Sequence, residues 1–87
     1  MEVKNWKAIN KNTLQGTFDL EFVKLGLVIK GCMWHISSGR DWIAFPSREY
    51  QLNGEKRYQS IVEWKDKDIA NRFFKTIAPM VKDLSGR

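Results

Sequence analysis

Lys30, Trp34, Arg40, Trp42, Arg48, Tyr50, Lys56 and Arg57 are the side chains of this 87-residue chain whose chemistry most needs a partner. They interleave aromatic rings with cations over one continuous stretch, LVIKGCMWHISSGRDWIAFPSREYQLNGEKRY. Unpaired nucleic-acid bases stack on such rings while cations neutralise the phosphates, and each stacked base is worth about 1–3 kcal/mol. The bland alternative is also physical. Two indoles facing each other across a hairpin stabilise it by roughly 0.2–1 kcal/mol, and a second subunit could cover them.

Other chemistries are poorly served. Cys32 is the only cysteine and His35 the only histidine, too few for a disulfide or a four-ligand zinc site. They alternate to opposite faces of one strand, so they cannot act together as nucleophile and base. There is no carboxylate pair, Ser/His/Asp set or glycine-rich phosphate loop, and the expectation is a protein that is not an enzyme and carries no cofactor.

Strands must position the aromatic and basic set. The run Val3–Ile9 predicts a first strand, ended by the polar turn Asn10-Lys11-Asn12-Thr13. Phe18, Leu20 and Phe22 alternate with Asp19 and Glu21, the period of a half-buried second strand. Leu27–Ile36 reads as a third strand in which Gly31 marks a bulge. A three-residue loop at Ser37-Ser38-Gly39 would pair Trp34 with Trp42. Asn53-Gly54 is a strong hairpin signal and pairs Tyr50 with Arg57, Arg48 with Gln59, and Phe45 with Val62.

Alternation then yields two faces. Phe18, Leu20, Phe22, Leu27, Ile29, Met33, Ile43, Phe45, Val62 and Trp64 form the core face. The aromatic and basic set forms the other, where Asp19 and Glu21 interrupt its positive charge. After Asp66, a natural cap, the period changes: Ile69, Phe73, Ile77, Met80, Val81 and Leu84 recur at helical spacing. Pro79 inside this pattern predicts a kink or break. The fold expected is α+β, an antiparallel, curved sheet of four to five strands over about residues 3–64. One C-terminal helix, about 67–84, would pack on one face of a single domain spanning 1–87.

Size and charge bound the partners. Net charge +5 and a pI near 9.6 suit an acidic partner, and so small a core favours a homodimer. No apolar run has signal-peptide or membrane-span length, so a cytoplasmic setting is expected.

The segment from Val28-Ile29-Lys30-Gly31 through Trp42-Ile43-Ala44-Phe45-Pro46-Ser47-Arg48, followed by a glycine-centred turn and a helix, resembles the stage V sporulation protein G (SpoVG) family. The likeness lies between about Leu27 and Tyr58 and is most specific at Phe45-Pro46-Ser47-Arg48. It implies a DNA- and RNA-binding regulator that dimerises through its sheet, with Arg48 at the basic position after Pro-Ser. Trp34 and Trp42 depart from the family, which is less aromatic there. The order of strands then helix also looks like the positive cofactor 4-type coactivators and the Whirly proteins, whose dimers present curved sheets to unpaired bases. Together these features lead to the expectation of binding to single-stranded DNA, with little sequence specificity. Trp34, Trp42 and Tyr50 would stack, and Lys30, Arg40, Arg48, Lys56 and Arg57 would contact phosphates. The alternative is a protein-interaction module whose aromatic face is a dimer or partner interface.

Overall fold

Two tight turns set the strand pairings. Ser38 and Gly39 have φ of 52° and 77°, and Asn53 and Gly54 have 53° and 78°. Consecutive left-handed residues are the signature of the two-residue type I′ hairpin loop, whose twist matches that of the flanking strands. In the computed structural model, which describes residues 1–86, these turns close the hairpins β3–β4 and β5–β6. The elements are β1 (Glu2–Lys11), β2 (Leu14–Phe22), β3 (Leu27–Ser37), β4 (Arg40–Ala44), β5 (Ser47–Leu52), β6 (Glu55–Ser60) and α1 (Lys67–Ser85). The fold is α+β, as expected. The first four strands form an antiparallel sheet in the order β1-β2-β3-β4, and β5-β6 form a separate two-stranded sheet.

The expected continuous sheet is therefore divided. Pro46, which cannot donate a ladder hydrogen bond, separates β4 from β5. Strand β6 stops at Ser60, so Phe45 and Val62 do not pair. Both instead sit at the base of the β5–β6 hairpin, half-buried.

The core lies between the four-stranded sheet and α1. Phe18, Leu20, Cys32, Trp34, Ile77, Ala78 and Val81 are buried. An aromatic cluster closes one end, where Trp64 stacks on Phe73 with ring centroids 4.2 Å apart and 8° between planes, and Phe22 and Phe45 meet Trp64 at angles of 67° and 59°. Such edge and offset contacts add to the area they bury. Trp6 also packs on the core, over Gly16. A Cβ at Gly16 would lie 2.5 Å from the Lys7 carbonyl oxygen and 2.5 Å from the Trp6 ring. Only glycine leaves room for that indole.

Asp66 caps the helix as read from the sequence, its Oδ1 accepting the Ile69 N–H at 2.9 Å. Gly86, at φ 76°, ends it. Pro79 does not break the helix, which runs from Lys67 to Ser85. Pro79 removes the intrahelical donor to the Lys75 carbonyl, and both residues are exposed. No helix among the described residues is long and apolar enough to cross a membrane.

Candidate nucleic-acid interface

Gly31 decides where the indoles go. Across β2 and β3, Phe18 faces Cys32 while Leu20 faces Ile29, so β3 advances one residue more than its neighbour. Gly31 takes φ 76° at this bulge, and its N–H donates to Asp19 Oδ1 at 3.3 Å. An extra residue reverses parity. Ile29 precedes the bulge on the core face; after it, Cys32 and Trp34 occupy that face, and Met33 and His35 point away. The turn adds a second correction. With Ser38-Gly39 as a two-residue loop, Trp34 faces Ile43 and His35 faces Trp42, in place of the expected Trp34–Trp42 pair.

Trp34 is consequently 0% exposed and stacks on Phe74 of α1, centroids 6.2 Å apart and 15° between planes. Its position beneath the helix is the reverse of the expected one, and it takes no part in an open platform. Its Nε1–H finds no acceptor among the described residues. Met33, expected in the core, occupies the open face instead. Leu27 is 50% exposed. Cys32 lies in the core, where burial first and the Asp19 charge second push its thiol up to about 11.

The remaining candidates fall into separate groups. Trp42, 37% exposed, keeps to the open face and stacks on His35 at 5.1 Å and 5°. His35 Nδ1 and Thr13 Oγ1 share a hydrogen bond of 2.9 Å that fixes the imidazole under the indole. Arg40 is exposed two residues before Trp42, at the same hairpin end. Lys30 is exposed beside the Gly31 bulge and joins neither group. His35 was legible only as a solitary side chain, since its role comes from the corrected pairing.

The other side of the open face is acidic. Lys4 is held by Glu21 at 3.2 Å and Glu2 at 3.3 Å, and these hydrogen bonds raise its pKa. Asn5 Nδ2 donates to Asp19 Oδ2 at 2.9 Å. A phosphate backbone crossing β1 and β2 would meet three carboxylates around one lysine.

Arg48, Tyr50, Lys56 and Arg57 all lie on the β5–β6 hairpin, in the register expected from the Asn53-Gly54 turn. Every residue of both strands is exposed, and the hairpin touches the core elements at most marginally. It is an arm with two free faces. One carries Arg48 opposite Gln59, Tyr50 opposite Arg57, and Leu52 opposite Glu55. The other places Glu49 beside Tyr58, whose hydroxyl donates to Glu49 Oε1 at 3.3 Å, and Lys56, at 3.7 Å from the same oxygen. Arg57 is paired with Glu55 at 3.1 Å, whereas Arg48 makes no ion pair among the described residues.

A further cavity of about 330 Å³ opens between the free edge of β4 and α1, lined by Ile43, Phe45, Trp64, Phe74 and Ile77, with Asp41 at its rim. Asp41 pairs with Lys82 at 3.3 Å. Among the described residues, no group of three or more His, Cys, Asp or Glu could hold a metal ion. Comparison with family models, curated proteins and solved structures finds no match, so the likeness to the SpoVG proteins is carried by the residues quoted for it alone.

Proposed function

We propose that this chain is a nucleic-acid-binding protein whose principal contact element is the β5–β6 arm. The observation that carries the reading is a two-stranded ribbon, solvated on both faces, that bears three cations and two tyrosines. An isolated hairpin is at best marginally stable in water, and side chains that do no work in the core are free to meet a partner. The chain's net charge of +5 favours an anionic one. Arg40 and Trp42 supply a second, smaller contact, with the His35-backed indole as a stacking surface. The preference for single strands rested on Trp34 and Trp42 lying side by side. With Trp34 under the helix it loses that support, and the proposal is nucleic-acid binding without a commitment to strandedness.

Fluorescence anisotropy of labelled oligonucleotides, single-stranded and duplex, at about 50 and 200 mM salt tests this reading. Binding should weaken steeply with salt, because each neutralised phosphate releases counterions. Failure to bind either form, or binding indifferent to salt, removes the proposal.

A protein-interaction module is the second reading, and the cavity beside β4 favours it. There an unpaired strand edge adjoins apolar side chains, an arrangement suited to strand addition by a partner or a second copy. A proline substitution in β4, such as Ile43→Pro, that abolishes self-association in light scattering while leaving oligonucleotide binding intact would support the edge as an interaction surface.

A further inference from the structure

The arm's two faces differ in what they offer to a nucleic acid. On the Glu49 face, one carboxylate engages both Lys56 and Tyr58, so the cation already has an internal partner. On the opposite face Arg48 has no carboxylate partner, and Gln59 lies directly across from it. Arginine donates two hydrogen bonds to the O6 and N7 acceptors of guanine, and glutamine matches the N6 and N7 of adenine. The pair is therefore matched to base edges. Tyr50 and Arg57 extend the same face toward the turn, with Glu55 neutralised by Arg57.

Dimensions agree with this chemistry. Six-residue strands make a ribbon about 20 Å long, with strands about 4.8 Å apart. A B-form major groove about 12 Å wide admits a two-stranded β-ribbon. The corresponding groove of duplex RNA is deep and too narrow for side-chain readout.

Building on the nucleic-acid reading above, we infer that the Arg48–Tyr50–Arg57–Gln59 face of the arm enters the major groove of duplex DNA. Arg48 and Gln59 are its base-contacting pair. Arg40 and Lys30, on the main sheet, contribute contacts that are indifferent to sequence.

Selection of binding sites from a random-sequence DNA duplex library, using the full chain, tests the inference. A consensus with a fixed G·C pair for Arg48 beside a fixed A·T pair for Gln59 should emerge, and Arg48→Ala and Gln59→Ala should each weaken binding to the selected duplex by about 5- to 150-fold. Each substitution should weaken binding to the selected duplex several-fold more than binding to unselected duplex, and thermal melting should confirm that both variants fold like the parent. Lys56→Ala, on the Glu49 face, should act equally on selected and unselected DNA. Duplex RNA of the selected sequence should bind no better than unselected RNA. Salt-dependent binding with no consensus, or equal loss on every sequence, would overturn the groove-reading role while leaving nucleic-acid binding intact. Tighter binding to single strands than to any duplex would do the same. Absence of binding to all forms overturns both.

Discussion

The sheet–helix layer and the β5–β6 arm obey different physics, although the same period-two strand pattern builds both. In the layer, the aromatic side chains are anchored. Trp34 lies against Phe74, Trp6 fills the space left by Gly16, and Trp64 stacks on Phe73. In the arm no residue is buried, and the hairpin rests on its own ladder and its turn. Residue type does not distinguish them, since each contains aromatic rings. What separates them is the presence of a second layer to pack against. Stability therefore resides in the layer, and the arm's side chains stay exposed.

The widest gap between the regions should come from matched aromatic deletions. Trp34→Ala should cost about 3–5 kcal/mol of folding free energy, whereas Tyr50→Ala should change it by less than about 0.5 kcal/mol. Urea denaturation followed by circular dichroism measures both, and similar values would erase the contrast. Gly16→Ala is the next largest. Its added methyl would press on the Lys7 carbonyl and the Trp6 ring, and overpacking of this kind costs about 1–3 kcal/mol. A thermal midpoint equal to the parent's would mean that Trp6 is not held as described.

Cys32 supplies the finest test. Its thiol, pushed up to about 11 by burial, stays protonated in the folded layer where an exposed cysteine would ionise. The unfolded chain therefore loses this proton at lower pH than the folded chain. Folding stability should be unaffected by this group at neutral pH and should fall as pH rises from about 9 toward 11. Alkylation by iodoacetamide at pH 8 should accordingly track unfolding; rapid modification of the native protein would show an open core.

Much of this was legible in the chain itself. Alternation at Phe18, Leu20 and Phe22 marked β2, Asn53-Gly54 set the arm's register, and Asp66 with the Ile69–Leu84 stripe located the helix. Gly31 was legible as a bulge, but its consequence for Trp34 was not. Parity beyond it depends on whether Gly31 is an extra residue, and that is decided by the opposite strand, where Phe18 to Leu20 spans two residues against three from Cys32 to Ile29. Likewise Ser37-Ser38-Gly39 permits loops of two or three residues, and only packing of Trp34 under α1 selects one. The detachment of β5–β6 had a local sign in Pro46, yet alternation at Ile43, Phe45 and Val62 read as continuous across it.

The arm's chain enters at Ser47 and leaves at Ser60, which face each other in the ladder. Excising or exchanging everything between them would need only a short bridge, and would leave the aromatic cluster and helix where they are. Such a layout makes the hairpin a replaceable cassette. Its length and side chains can change without moving the scaffold that carries it.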